Sequence, residues 1–296
     1  MSGFISALLD PNFSFMRNAL IAGLLSSILF GVLGSVVTVK RIAGLAGAIS
    51  HAVLGGIGMA LYFSALGIAS WMTPMIGAVI FALVSALIIG FVSLRAKQRE
   101  DTVINAIWAI GMSIGVLFMA KTPGYTDPSS YLFGNILLIA PRDIWLLAIV
   151  DVVVLFLAWR FYPQIEASSF DAEFANVRGI NTEVVFLVLL AVTAVAVVLL
   201  QTFVGIVMVI AMLTLPAGTA GYVSRSLAGM MALATLCSVF FTVVGLAVSW
   251  SFDTPSGAMV VVIAGAVFLL SAIVQFLVRY LRRKWQFIHI KEVNYD

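Results

Sequence analysis

Long apolar runs separated by short polar breaks dominate the chain. A spanning helix needs roughly 20 mostly apolar residues. Runs of that kind fall at Phe15–Val39, Gly44–Leu66, Met72–Leu94, Thr102–Ala120, Asp143–Phe161, Glu183–Leu200, Phe203–Val223, Ala228–Trp250 and Ala258–Val278. The pattern predicts an all-α polytopic membrane protein with about nine transmembrane helices, forming one permease-like domain over residues 1–296. Only Gln201-Thr202, read as a tight turn, parts the sixth and seventh runs, so eight is the alternative count. Tyr131–Ala140 is apolar but too short to span, and reads as a re-entrant or interfacial piece.

Composition agrees with this reading. Of 296 residues, 62% are hydrophobic and 10% charged, against about 25% charged in soluble domains. Mean hydropathy is +1.15 and the pI is near 9.1. The basic residues lie between apolar runs, where they orient a membrane protein, so the pI does not point to nucleic acid. With the N-terminus outside, thirteen of the sixteen basic residues fall on the inner face, leaving Arg17, Lys121 and Arg142 outside. The expected topology is therefore N-out and C-in. The N-terminus has no basic leader ahead of a small-residue cleavage site, so the first run is expected to be a span itself. The single cysteine, Cys237, excludes an internal disulfide and a thiolate metal cluster.

The longest polar interruption, Phe161–Asn181, falls on the inner side. Ser168-Ser169 is expected to cap a short helix, with Asp171 and Glu173 in its first turns and Gly179 at its end. Such a segment either connects two spans or docks a partner. The outer turns Gly124–Pro128 and Phe252–Gly257 are turn-forming sequences that carry Asp127 and Asp253.

Candidate chemistry inside the spans is sparse. His51 sits in R-IAGLAGAIS-H-AVLGGIGMA-L, with Gly47 and Gly55 one turn before and after it on the same helix face. Beside that slot, Ala48, Ala52, Gly56 and Ala60 form a small-residue stripe that suits close helix packing. His51 is either a packed residue bonded to a neighbour or a ligand on a path. Asp151 lies mid-way along the fifth run, where a charged carboxylate costs about 2.5–3.5 kcal/mol. It must face the interior, be protonated or pair. Asn105 and Gln201 read as hydrogen-bond formers between helices, and Pro216 as a kink or interruption. No phosphate-binding G-x-x-x-x-G-K-[ST], H-E-x-x-H or C-x-x-C occurs, so the chain is not expected to hydrolyse nucleotide or hold a closed zinc site.

Seven stretches taken together resemble the permeases of zinc, manganese and iron ABC importers. They are Phe15–Leu20 (F-M-R-N-A-L), Ser50–Ala52 (S-H-A), Glu100–Thr102 (E-D-T), Tyr131–Leu137, Phe170–Ile180, Val204–Ala220 and Asp253–Gly257, all in the family's order. The resemblance implies a fold similar to the vitamin B12-importer type and a multi-pass protein of a bacterial-type plasma (inner) membrane. It implies two cytoplasmic ATPase subunits that bind the ATP, a second or sister permease, and an extracytoplasmic metal-binding protein. It also implies a transported divalent metal and no permanent cofactor, catalysis or nucleic acid. The segment near 162–182 becomes a coupling segment, with Phe170, Asp171, Glu173, Ala175, Arg178 and Gly179 as ATPase-docking candidates. Asp127 and Asp253 become candidates for a gate or for contact with the binding protein, and His51 for metal ligation. In the family an aspartate commonly precedes the second-span histidine by four residues; here that position is Gly47. Imidazole plus carboxylate suits first-row metals, so a second ligand is expected elsewhere, with Asp151 the first candidate. Alternative readings are a permease for metal chelates such as siderophore or haem, an ion-coupled secondary transporter relaying through His51 and Asp151, and a scaffold without transport.

Overall fold

The computed structural model describes residues 2–95, 100–124, 131, 132, 134 and 139–293, with side-chain surroundings given as far as residue 281. Asp127 and most of Tyr131–Ala140 lie outside the described residues. The helices run α1 Ser2–Leu9, α2 Ser14–Val39, α3 Ala43–Ala65, α4 Pro74–Arg95, α5 Glu100–Lys121 and α6 Pro141–Arg160. They continue as α7 Tyr162–Phe170, α8 Ala172–Val177, α9 Thr182–Val204, α10 Ile206–Gly221, α11 Leu227–Phe252 and α12 Ser256–Val293. Among the described residues seven helices are long and apolar enough to cross a membrane, or eight if α6 and α7, bent by 69° at their break, count as one. The seventh apolar run is α10; its 16 residues give about 24 Å, short of the roughly 30 Å hydrocarbon core.

The break between the sixth and seventh runs is not at Gln201-Thr202. Helix α9 continues through both residues, and the chain turns at Gly205, whose φ of 82° and ψ of 159° lie outside what a side chain tolerates. Gly134 packs against this turn, since a Cβ on Gly134 would collide with the backbone of Val204 and Gly205. Pro216 does not interrupt α10, which continues to Gly221. The sequence also hides α1: Phe4 and Ala7 are buried against the bundle while Ile5 and Leu9 are exposed, an amphipathic split that a scan for long runs passes over.

Helix α2 lies at the centre, packed on α11, α10 and α6, and α3 packs on α5 and α4, with α9 bridging to α4. Buried hydroxyls within these helices bond back one turn, Ser27 Oγ to Gly23 O and Ser35 Oγ to Gly31 O at 2.7 Å each, and Ser50 Oγ to Ala46 O at 2.8 Å. That satisfies polar groups where the bilayer offers no water.

Candidate functional site

The small-residue stripe on α3 works as a packing seam. A Cβ on Gly56 would strike the carbonyl of Gly77 on α4, and one on Gly77 would lie 2.8 Å from the Ala60 methyl. On the other side, a Cβ on Gly111 of α5 would sit 2.5 Å from Ala52 Cα, and one on Gly115 would meet the Leu54 carbonyl. Backbones thus approach as closely as glycine allows, which is how membrane helices associate without a hydrophobic driving force. Gly111 and Gly115 form a G-x-x-x-G on α5, a signal that the sequence reading passed over.

The slot around His51 is half open. Gly55 is closed off, since a Cβ there would lie 2.8 Å from both the Gly111 carbonyl and a Phe81 ring carbon. Around Gly47, and Gly44 before it, a Cβ would meet nothing within 4 Å. His51 is half-buried between these two environments. Its imidazole stacks on Trp108 of α5, ring centroids 4.8 Å apart and planes 20° from parallel. Nδ1 is enclosed without a hydrogen-bond partner, which leaves Nε2 as the open nitrogen.

Asp151 occupies a different part of the molecule. It is 3% exposed, in a buried stripe of α6 with Leu147 and Val154. Helix α6 packs chiefly on α2, whereas His51's helix packs on α5 and α4. The two candidates therefore lie on separate helix pairs. Neither Asp151 oxygen has a hydrogen-bond partner. Among the described residues no group of three or more His, Cys, Asp or Glu is placed to hold a metal. Gln201, expected to bond across helices, is also buried with both amide atoms unpartnered. Asn105 is exposed.

The segment near 162–182 folds as two short helices, α7 and α8. The cap expected at Ser168-Ser169 lies at Asp171 instead, whose Oδ1 accepts from Phe174 N–H at 2.9 Å. The two serines belong to the end of α7, where both hydroxyls donate to Ile165 O. Asp171 wins because its extended backbone, φ −147° and ψ 94°, is the geometry an N-cap requires. Gly179 ends the segment as expected, with φ 82°, and Ile180 N–H donates to Ala175 O at 3.0 Å. Ala175 is fully buried and anchors α8 rather than facing outward. Phe170, Asp171, Glu173, Arg178 and Gly179 are exposed. Two exposed apolar residues join them that the sequence reading did not single out, Phe174 at 52% and Val177 at 87%. The Arg178 guanidinium lies 5.1 Å over the Phe174 ring. Lys40 Nζ, at the turn between α2 and α3, donates to Ser168 O at 3.0 Å. Burial pushes the Lys40 ammonium's pKa below its usual value. Asp253 is exposed in the left-handed turn that ends α11, at φ 50°.

A family model described as the ABC 3 transport family matches residues 12–275. The chain belongs to the ABC 3 transport family. This ABC 3 chain is accordingly a polytopic membrane component of a transporter rather than an enzyme. It is 39% identical to a membrane protein of Synechocystis over 88% of this chain and 90% of that one. It is 33% identical to the manganese transport system membrane protein MntC of Listeria monocytogenes, again over 88% and 90%. Among solved structures it is similar to PsaBC from Streptococcus pneumoniae, solved in complex with Fab. The TM-score is 0.80 and the identity 30%, over 91% of this chain and 94% of that one.

Proposed function

We propose that this chain is the permease subunit of an ATP-driven importer that moves a divalent first-row metal ion from an extracytoplasmic binding protein to the cytoplasm. It works as a pair with a second or sister permease, on two ATPase subunits that bind the α7–α8 segment. The N-terminus lies outside, and the basic end carrying Lys40, Arg95, Arg160, Arg178 and Arg225 is cytoplasmic. Manganese is the leading cargo because it is named for the Listeria relative; zinc and iron are the competitors.

The observation that carries this reading is His51. An intramembrane imidazole with its Nε2 open, beside empty space over Gly47, is where a passing cation meets a ligand. A sparse site is suited to transport, which requires binding weak enough to release. Asp151 stands apart from it, so the missing carboxylate is more simply supplied by the paired permease or by hydration of the ion.

The test is elemental analysis of cells lacking and regaining this gene, with uptake competition among manganese, zinc and iron. Cell content of the cargo metal is expected to fall severalfold without the gene and to recover with it, and that metal alone should compete at low excess. Unchanged content of all three metals overturns the reading.

A further inference from the structure

The α3–α5 pairing does more than pack two helices. Both helices start at the basic end, and their contacts run in parallel register. His51 meets Trp108, Ala52 meets Gly111, and Leu54 and Gly58 meet Gly115. Because Gly111 and Gly115 carry no side chain, the α5 backbone lies against α3, and the indole one turn earlier is pressed flat onto the imidazole. The indole is itself held, its Nε1–H donating to Met112 Sδ at 3.1 Å. Such an offset stack adds to burial and favours the ring orientation that keeps the two planes together. One face of His51 is then covered and Nδ1 is enclosed, which leaves Nε2 as the nitrogen free to meet a ligand.

We propose that Trp108 is the positioning residue for His51: it locks the imidazole so that the cargo metal is met by Nε2 alone, edge-on, in the open space beside Gly47. This rests on the reading of His51 as a ligand. A metal-binding histidine is ordinarily oriented by a hydrogen bond from its second nitrogen to a carboxylate or carbonyl. His51 Nδ1 has no such partner, and the stacked indole performs that orienting role. The arrangement also restricts the ligand chemistry. A single imidazole nitrogen, in no group of three or more His, Cys, Asp or Glu among the described residues, favours a hydrated divalent ion held loosely over a tightly chelated one.

The test is metal uptake by the complete transporter in proteoliposomes, comparing Trp108→Ala, Trp108→Phe, Met112→Leu and His51→Ala. Losing an orienting partner typically weakens metal affinity about 10–100-fold. Trp108→Ala is therefore expected to raise KM for metal at least about tenfold with maximal uptake nearly unchanged. Trp108→Phe, which keeps a flat ring, should recover most of that loss. Met112→Leu conserves volume and removes the thioether acceptor, so it should raise KM more modestly; this variant carries the test if Trp108→Ala fails to assemble. Paramagnetic manganese should quench the Trp108 part of the emission, taken as wild type minus Trp108→Phe, and the quench should vanish in His51→Ala. If His51→Ala abolishes uptake while the Trp108 and Met112 variants keep a wild-type KM and no quench is seen, the positioning role is overturned and the function stands. If His51→Ala transports normally, the ligand reading of His51 and the positioning role both fall.

Discussion

His51 and Asp151 are the two ionisable side chains that a reading of the apolar runs isolates in the membrane, and the structure gives them different circumstances. His51 was legible as unusual, but its setting was not. Trp108, which stacks on the imidazole, and Phe81, which closes the slot at Gly55, come from other helices, and only the G-x-x-x-G at Gly111 and Gly115 hinted at which one packs close. The open space at Gly47 likewise depends on what does not approach it, which no local pattern reports. Asp151 was placed in the interior, as a buried carboxylate must be, yet on α6 against α2 and without a partner. Nothing there holds a charge in place. Asp151→Asn, which keeps the shape and removes the ionisable group, is expected to leave expression and metal uptake within about twofold of wild type, because a surviving ionic role would cost on the order of 3–5 kcal/mol when removed. Uptake assays with the variant check this, and loss of transport at normal expression would return Asp151 to the metal path.

At the scale of elements, most helices were predicted to within a few residues because each needs only a long apolar run. The misses share one physical cause: backbone conformation is set by single residues that hydropathy does not weight. Gly205 turns the chain inside a continuous apolar stretch, where the more polar Gln201-Thr202 looked like the turn. Asp171 rather than the serines caps α8. Within that short helix, burial separates anchor from surface, with Ala175 inward and Phe174 and Val177 outward. Those two apolar side chains, with Phe170 beside them, form the face that an ATPase groove would cover. Phe174→Asp is expected to weaken association with the ATPase subunit by about 2 kcal/mol, roughly thirtyfold, measured as copurification in mild detergent. Wild-type recovery of the ATPase with this variant would show that α8 is not the docking helix. Lys40, bonded to Ser168 O, ties the same segment to the turn from which α3 starts, so movement of α7–α8 has a mechanical route to the helix that carries His51.

For the whole molecule, the helices form a bundle with α2 and α3 deeply buried and much of α5 and α12 left exposed. The exposed apolar faces are free to meet lipid or, under the proposed function, a second permease. Under the proposed function, the imidazole of His51 and the α7–α8 segment at the basic end work together in one transporter of the ABC 3 transport family. Alternation between outward and inward access would then be rigid-body movement of packed helices driven from the ATPase side. The most direct measurement is ATP-dependent manganese uptake into proteoliposomes that contain this chain with its ATPase subunits, fed by metal-loaded binding protein, for wild type and His51→Ala. Uptake should require ATP and fall at least about tenfold in His51→Ala while ATPase copurification is unchanged. Equal uptake by the two proteins, or uptake that proceeds without ATP, would contradict the account.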